Sequence, residues 1–447
     1  MFENKKTLII IILALSLFTH FIRFGHPNQT VFDEVHFGKF LSGYFTGEYF
    51  FDIHPPLGKL LLSAAGYASG FKPGFSFANI GEVFPDKHYL ALRLLPVIAG
   101  TLLPIIIFFI ALRLGFSRKI SFLTSLLIVF ENALLVQSRF ILLDSMLLLF
   151  GFGAILAYLR HKSSRSFQML LLTGTLAGLS ASIKWTGLGF LGLILVFKLL
   201  EWAKQKNIKD ALLTFVFLCL LPFLIYLSVF AVHFKLLPKS GPGNAFMTPS
   251  FQKTLLNSSH EKNQSVKPIG FLKKFLELNI QMYSSNKTLT AIHPYGSKWY
   301  SWPFMTRTVY YWNKAAVQTE SKVYLLGNPF VWWSSTIAML YLLISSVSKI
   351  RKWKLDFPTS FILAGFFINL LPFIGVGRVM FLYHYFASLV FAILALGYLL
   401  DKQNKKGVFA LFVLFSILFF LFLSPFTYGL PLTVPEQNLL FWLPTWR

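Results

Sequence analysis

Long apolar runs, separated by short basic segments, occupy most of this chain. A membrane-spanning helix needs about 20 apolar residues, and runs near that length occur at 7–24, 89–112, 120–137, 141–159, 167–183, 187–200, 211–232, 325–347, 358–375, 381–400 and 407–423. Lys184 and Trp185 divide the fifth run from the sixth. The pattern predicts an all-α integral membrane protein, residues 1–447 forming one domain, with about eleven transmembrane helices.

Composition also indicates a chain that is mostly surrounded by lipid. Of its 447 residues, 55% are hydrophobic and only 13% are charged, whereas soluble domains carry about 25% charged residues. The net charge is +24. Because most of the lysines and arginines lie in short loops between apolar runs, the excess favours a role in membrane topology and argues against a nucleic-acid partner.

The basic loops predict the orientation of the chain. If the spans alternate in direction, one side carries the clusters that begin at Lys5, Arg113, Arg160, Lys204, Lys349 and Lys402. The positive-inside rule makes that side cytoplasmic. We therefore expect a cytoplasmic N-terminus and two long segments on the outer face, at 25–88 and 233–324.

The first outer segment concentrates acidic residues, which are scarce elsewhere. Asp33 and Glu34 precede an apolar pattern at i, i+3, i+4, i+7 and i+8, formed by Phe37, Phe40, Leu41, Tyr44 and Phe45. This pattern predicts an amphipathic helix lying in the membrane interface with its apolar face in the acyl boundary. The two carboxylates would then stand at the water–lipid boundary. The alternative is that Asp33 is only a helix N-cap.

A second feature of this segment is His54, which precedes Pro55 and Pro56. Proline restricts its own backbone and that of the residue before it, so His54 is expected in a stiff, extended turn. Such a turn suits a positioned site residue. It equally suits the entry to a helix with proline in its first turn.

Several motifs in order along the chain resemble the protein O-mannosyltransferase family. They are Phe32–Gly38, Phe50–Leu57, Gln137–Met146, Ser182–Gly187, His293–Tyr300, Gly327–Trp333 and Phe381–Tyr385. The resemblance implies the C-superfamily glycosyltransferase fold, a dolichyl- or polyprenyl-phosphate mannose donor and a Ser/Thr hydroxyl acceptor. The segment 233–292 is too short for the repeat-containing outer domain of eukaryotic members, so we expect a prokaryotic-type enzyme of the plasma membrane.

The resemblance also implies roles for particular residues. Asp33 is expected to be the catalytic base, with Glu34 beside it. Arg93 and Arg23 match arginines expected near the donor phosphate. Thr186 and Gly189 depart from the family pattern, where bulkier residues are expected.

Other candidates follow from their place in the predicted topology. Lys184 and Arg378 are outer-facing cations suited to a phosphate, with snorkelling or headgroup binding as the alternative. The remaining substrate-binding candidates are His54, His293, Trp299, His384 and Tyr385, for which packing or an aromatic belt is the alternative. For Asp144 we expect a structural ion pair with Arg139.

The expected chemistry is displacement at the anomeric carbon. A carboxylate would take the proton of the attacking hydroxyl, and cations would stabilise the departing phosphate. No cofactor is expected, because no residue spacing indicates a metal site, although the sequence leaves room for a divalent ion. The partners are the donor, an acceptor protein and the bilayer, with the secretion machinery as a further candidate.

Two alternatives stay open. A related transferase would use a lipid or glycan acceptor, or another polyprenyl-phosphate sugar. A transporter or flippase of polyprenyl-linked sugars would need charges deep in several spans and inverted repeats, which the sequence does not display.

Overall fold

Helices form most of the computed structural model, which describes residues 2–288, 292–352, 354–403 and 405–447. The first eleven helices are α1 (Lys5–Phe21), α2 (Glu34–Thr46), α3 (Leu57–Ser69), α4 (Tyr89–Arg113), α5 (Arg118–Val129), α6 (Asn132–Ser138), α7 (Asp144–Ser164), α8 (Phe167–Ile183), α9 (Leu188–Gln205), α10 (Ile208–Phe215) and α11 (Leu221–Leu236). The others are α12 (Pro249–Gln252), α13 (Phe271–Thr288), α14 (Pro329–Arg351), α15 (Phe357–Leu370), α16 (Phe386–Gln403), α17 (Val408–Tyr428) and α18 (Val434–Leu440).

Every predicted span coincides with a helix or with helices in series. Among the described residues, 7 helical segments are long and apolar enough to cross a membrane, and the bent pair α5–α6 would make up to 8. The segment Ile208–Leu236 joins α10 to α11 through a π-helical turn. The helical membrane fold is confirmed, while the predicted number of spans stays a prediction.

The bend between α5 and α6 is stabilised by a buried carboxylate. The two helices meet at 59°. One oxygen of Glu131 accepts the Leu134 N–H at 2.7 Å, and the other accepts the Asn328 N–H at 2.8 Å. Backbone groups freed by a broken helix must find partners inside the protein at membrane depth. Glu131 meets that need for both α6 and the start of α14.

The amphipathic helix predicted in the first long segment exists as α2, but its apolar face is covered by protein. Leu41 is fully buried, Phe40 stacks on Phe50 at 4.9 Å, and Phe45 meets the edge of Phe71 at 5.3 Å. The expectation that this face lies in the acyl boundary is therefore wrong. The stripe instead anchors α2 and holds the residues before it against the helical bundle.

A small antiparallel sheet lies beside the N-terminal end of α2. It contains β1 (Val309–Ala315), β2 (Glu320–Leu325) and β3 (Pro431–Leu432), in that order. The Phe32 N–H donates to the Tyr311 carbonyl at 3.1 Å, and their rings stack at 4.5 Å. The sheet thus positions the residue immediately before Asp33.

Candidate active site

A cavity of about 260 Å³ lies where α7, α9, α13 and the start of α16 meet. Its lining combines polar and apolar side chains. The polar ones include His54, Asp144, Lys184, Arg378, Tyr383 and His384, and the apolar ones include Leu147, Leu148, Phe190, Phe373 and Phe386. Its size approaches that of small-molecule sites, which start at about 300 Å³. This combination suits a ligand that has a polar head and an apolar tail.

Asp33 precedes α2 in the N-cap position, yet its side chain does not cap the helix. Its carboxylate accepts no capping hydrogen bond. Glu34 Oε2 accepts the Val31 N–H at 2.9 Å, which holds the turn before the helix rather than capping it. The helix-cap alternative therefore does not hold for the Asp33 side chain, which stays available for another purpose.

The surroundings of Asp33 make its carboxylate a better base than an ordinary aspartate. Burial raises its pKa to about 6, with His36 and Lys184 opposing the rise and Asp144 adding to it. The Tyr383 hydroxyl lies close enough to interact with it. A carboxylate with this pKa is mostly ionised at neutral pH and accepts a proton more readily than a solvated one.

Glu34 and Arg93 form a fully buried bidentate ion pair. Arg93 Nε donates to Glu34 Oε1 at 2.8 Å, and Nη2 donates to Oε2 at 2.7 Å. Arg93 Nη1 donates to the Gly25 and Pro27 carbonyls at 3.1 and 2.7 Å, and Nη2 also donates to the Gln29 carbonyl at 2.9 Å. Every N–H of the guanidinium is therefore used within the protein.

This pairing corrects the expected phosphate role of Arg93. A guanidinium with no free donor and no exposed surface cannot bind a phosphate without giving up an existing bond. Glu34 also accepts the Ile141 N–H at 2.8 Å. Together Glu34 and Arg93 fix the segment before α2 to α4 and to the start of the α7 region, and so they hold Asp33 in place.

Arg23 and Arg139 also differ from expectation. The Arg23 side chain is exposed and does not line the cavity. Arg139 donates to the carbonyls of His20, Ile22 and Arg23, each at 2.9 Å, and so closes the end of α1. The expected Asp144–Arg139 ion pair is wrong.

Asp144 instead pairs with Lys184. The Lys184 ammonium lies 2.8 and 2.9 Å from the two Asp144 oxygens. Gln137 Nε2 donates to Asp144 Oδ2 at 2.6 Å, and the Tyr311 hydroxyl donates to Gln137 Oε1. Because the Tyr311 backbone holds Phe32, this chain of contacts links Lys184 to the segment that carries Asp33.

Arg378 enters the cavity wall from the loop between α15 and α16. Its Nε donates to Asn286 Oδ1 at 2.8 Å, Nη1 donates to the Val379 carbonyl at 3.1 Å, and Nη2 lies 3.4 Å from His384 Nε2. Within the described parts of the chain, no carboxylate lies within ion-pair distance of it. Arg378 therefore offers an uncompensated positive charge and spare donors to the cavity.

The Phe381–Tyr385 motif places two of its residues in the cavity. His384 lines it, held by a contact of 3.0 Å between Nδ1 and the Phe381 carbonyl and by stacking on Trp302 at 5.8 Å. Tyr385 is fully buried against Trp332 and does not line the cavity. Its predicted binding role is wrong, and Tyr383, two residues earlier, occupies the wall instead.

His54 lines the cavity, while its role in substrate binding stays a prediction. The Lys59 ammonium donates to the His54 carbonyl at 2.8 Å and pairs with Asp52, which fixes the turn. Burial, with Lys184 and Arg378 nearby, holds the pKa of His54 well below its usual range. His54 is therefore neutral, and its imidazole can both donate and accept a hydrogen bond.

His293 and Trp299 do not line the cavity. His293 packs against Phe381 at 5.0 Å, and Trp299 packs against Tyr300 at 5.8 Å. The structure gives both residues aromatic packing contacts. Their expected direct binding roles are not supported.

The small residues near Lys184 have a steric explanation. Thr186 lines the cavity, and a Cβ at Gly189 would lie 2.4 Å from Asn369 Oδ1, which also borders it. Glycine at 189 thus lets α9 approach α15. Within the described ranges, no group of three or more His, Cys, Asp or Glu residues is arranged to hold a metal ion.

Two family models together match most of the chain. Residues 10–238 match the model described as dolichyl-phosphate-mannose-protein mannosyltransferase. Residues 271–446 match the C-terminal four-transmembrane region of protein-O-mannosyltransferase. The chain belongs to the protein O-mannosyltransferase family. This confirms the family inferred from the ordered motifs.

Individual members of the family align over different lengths. Dolichyl-phosphate-mannose–protein mannosyltransferase 1 of Saccharomyces cerevisiae is 23% identical over 98% of this chain and 83% of its own length. Mannosyltransferase 4 of Candida albicans is 36% identical, over 56% of this chain and 35% of its own length. Protein O-mannosyl-transferase 2 of Danio rerio is 32% identical over the same shares. This protein O-mannosyltransferase chain thus spans about a third of the last two relatives.

Solved structures confirm the glycosyltransferase fold. The S. cerevisiae Pmt1–Pmt2 complex bound to the sugar donor superposes with a TM-score of 0.91, covering 99% of this chain and 92% of that one at 22% identity. The Archaeoglobus fulgidus oligosaccharyltransferase AglB superposes with a TM-score of 0.52, over 98% of this chain and 56% of that one at 13% identity. At these identities the likeness establishes the fold of this family member.

Proposed function

We propose that this protein transfers mannose from polyprenyl-phosphate mannose to Ser or Thr hydroxyls of proteins. The hydroxyl oxygen attacks the anomeric carbon, its proton passes to Asp33, and the bond from that carbon to the phosphate oxygen breaks. Polyprenyl phosphate leaves with the electron pair, and the configuration at the anomeric carbon inverts. The observation that carries this proposal is the Asp33 carboxylate, which makes no capping hydrogen bond and has a raised pKa. Asp33 does not itself line the cavity, but it interacts with the lining residues Tyr383 and Lys184, and the cation Arg378 of the same cavity has no acidic partner within ion-pair distance in the described chain.

Asp33 is the proposed general base because it is the carboxylate near the cavity without an ion-pair partner. Glu34 is fully committed to Arg93, and Asp144 is committed to Lys184. Glu34 is therefore a positioning residue rather than a second base. General-base assistance of this kind contributes about 10²–10⁴ in rate.

The donor phosphate is assigned to Arg378 first and to Lys184 second. Arg378 has spare N–H donors, while the charge of Lys184 is already shared with Asp144 at 2.8 Å. A planar guanidinium also matches the geometry of a phosphate better than an ammonium does. His54, Tyr383 and His384 then surround the space left for the pyranose, where their polar groups suit its hydroxyls.

The site is proposed to face the outside of a prokaryotic plasma membrane, with residues 25–88 and 233–324 on that outer face. The basic clusters of the short loops support this orientation, because they fall on the opposite side if the predicted spans alternate in direction. The acceptor would then be an exported protein, and the secretion machinery is a proposed neighbour. The chain is proposed to act as one domain in which the first outer segment supplies the base.

The test is mannose transfer by the protein purified and reconstituted in liposomes. Radiolabelled polyprenyl-phosphate mannose and a Ser/Thr-rich peptide are supplied, and label in the peptide is measured. Asp33→Asn is expected to lose at least 100-fold in rate. The matched control is Asp86→Asn, because Asp86 lies on the exposed part of the same segment; it is expected to retain wild-type activity.

Two results would contradict the proposal. Near wild-type transfer by Asp33→Asn would remove Asp33 from the role of base. Label that enters lipid or glycan but never peptide would favour the related transferase with a different acceptor.

A further inference from the structure

Helix α13 carries an exposed apolar stripe that no part of the described chain covers. Leu272, Leu276, Ile280 and Tyr283 recur at i, i+4, i+8 and i+11, which places them on one face of the helix. Each is between 56% and 67% exposed. A different face of α13, with Phe275, Leu278 and Met282, is buried against the protein. A stripe of this size on a soluble surface would be unusual.

The contacts of α13 show in which direction it runs relative to α11. Phe271 meets Phe234 at 6.2 Å, and Phe275 meets Phe230 at 5.2 Å. One turn further, the Tyr226 hydroxyl donates to Asn279 Oδ1 at 2.6 Å. Each step of four residues forward along α13 matches a step of four residues backward along α11. Helix α13 therefore runs antiparallel to α11, the helix that precedes it on the other side of the loop between them.

The length of the α10–α11 segment indicates how far α13 reaches toward the hydrocarbon core of the membrane. Ile208–Leu236 has 29 residues, which is about 43 Å of helix at about 1.5 Å per residue. The hydrocarbon core is about 30 Å thick, so about 13 Å of the segment extends beyond it. Asn279 meets Tyr226, and this contact lies about 15 Å from the end of α11. Even if all of the excess length lies at the outer end, the second half of α13 is therefore level with the edge of the hydrocarbon core.

Neighbouring surfaces point to lipid as the covering partner. On α11, Phe223, Leu224 and Val232 are also exposed, so the surface of that helix is apolar beyond its contact with α13. The segment 233–288 also contains eight lysines and two acidic residues, both glutamates. An apolar stripe beside basic residues is the pattern by which a helix binds at a membrane surface and attracts anionic headgroups.

We propose that α13 descends into the bilayer surface with the stripe Leu272–Leu276–Ile280–Tyr283 against lipid, so that its last turns form the lipid-side wall of the cavity. Tyr283, Asn286 and Lys287 line that wall. Asn286 Oδ1 also accepts the Arg378 Nε–H at 2.8 Å. Helix α13 would therefore contact lipid on one side and, through Asn286, the cavity cation Arg378 on the other. This inference rests on membrane embedding and does not depend on the transfer reaction.

The test measures the depth of nitroxide labels on α13. Cys219 is the only cysteine, so Cys219→Ser gives a background for Leu272→Cys, Leu276→Cys and Ile280→Cys. The water reference is Gln264→Cys in the exposed loop, and the lipid reference is Leu224→Cys on α11. Each labelled protein is reconstituted in phosphatidylcholine and phosphatidylglycerol vesicles, and collisions with oxygen and with a water-soluble nickel chelate are compared.

The ratio of oxygen to nickel collisions is expected to rise from position 272 through 276 to 280, and at 280 to exceed the value at 264 several-fold. Nickel-dominated values like those at 264 would show that the stripe faces water. Exclusion of both reagents would show that protein covers it, and equal depth at the three positions would contradict the descent. Each of these three results overturns the proposal, whether or not the protein transfers mannose.

Discussion

Replacing Arg93 with alanine removes a buried guanidinium whose N–H groups all donate within the protein. The change leaves the Glu34 carboxylate buried without its cation, and it removes the Arg93 donor from the carbonyls of Pro27 and Gln29, whereas the Gly25 carbonyl keeps the Tyr89 hydroxyl at 3.0 Å. Removing one partner of a buried ion pair costs about 3–5 kcal/mol, and each lost hydrogen bond adds about 1 kcal/mol. Since whole domains are stable by only about 5–15 kcal/mol, Arg93→Ala is expected to fold poorly.

The assay compares Arg93→Ala with Arg378→Ala in detergent. Arg378 is partly exposed and loses fewer contacts, so Arg378→Ala is expected to keep near wild-type thermal stability and to bind the donor at least tenfold more weakly. Arg93→Ala should give less folded protein and a lower unfolding temperature. Its folded fraction should bind the donor about as well as the wild type.

A double variant sharpens the comparison. Glu34→Met combined with Arg93→Met leaves no unpaired buried charge, so it should recover part of the stability lost by Arg93→Met alone. The reasoning is refuted if Arg93→Ala is as stable as Arg378→Ala and still loses donor affinity. Arg93 would then be a phosphate ligand, as the family resemblance implies.

Three further predictions concern the base, its support and the cavity wall. Because only ionised Asp33 can accept a proton and its pKa is about 6, kcat/KM should fall about tenfold per pH unit below that value, and a pH–rate profile without this acid limb would contradict the role. Gln137→Leu should lower kcat about tenfold with little change in KM, because it breaks the hydrogen bonds that link the Lys184–Asp144 pair to Tyr311. Gln137→Glu should not restore kcat. If the loss of activity is instead matched by the loss of folded protein, the role of Gln137 is purely structural. Gly189→Ala should cost about 1–3 kcal/mol by forcing α9 away from Asn369, and a thermal unfolding temperature equal to wild type would show that the helices adjust freely.

The periodic features of the chain were predictable, whereas their partners were not. The spacing of Phe37, Phe40 and Leu41 correctly indicated α2, because that spacing follows from helix geometry alone. What covers the stripe depends on Phe50 and Phe71, which reach it only after the chain has turned back. An apolar face fits lipid and protein equally well, so the pattern could not distinguish them.

The ion-pair partner of Asp144 could not be predicted for the same reason, since it depends on how the chain folds back. Arg139 lies five positions before Asp144 along the chain, and nearness in sequence suggested a pair. The actual partner of Asp144 is Lys184, which is brought there by the packing of α7 against α8. The short sheet could not be predicted, because a segment rich in Tyr and Trp within a long loop indicates a strand only weakly without its partner strand.

Within the cavity, the residue types of the Phe381–Tyr385 motif do not distinguish Tyr383 from Tyr385. Residue chemistry favours His384 and Tyr385 in the Phe381–Tyr385 motif, but a tight helical turn at Leu382–Tyr385 points neighbouring side chains in different directions. Predicting that Tyr383 and His384 line the cavity together would require knowing that turn. Residue type alone does not show which side of the turn faces the cavity.

The movement of charge in the proposed reaction explains why base and cation should lie in one site but on different elements. When Asp33 takes the acceptor proton, one negative charge disappears from the carboxylate and one appears on the departing phosphate. Lys184 cannot respond fully, because Asp144 already compensates it at 2.8 Å. Arg378 has no such partner, so its attraction to the phosphate is stronger in the transition state than before reaction, and that difference is what accelerates a reaction. Arg378→Gln should therefore lower kcat as well as donor affinity, and an unchanged kcat at saturating donor would show that Arg378 only binds the donor.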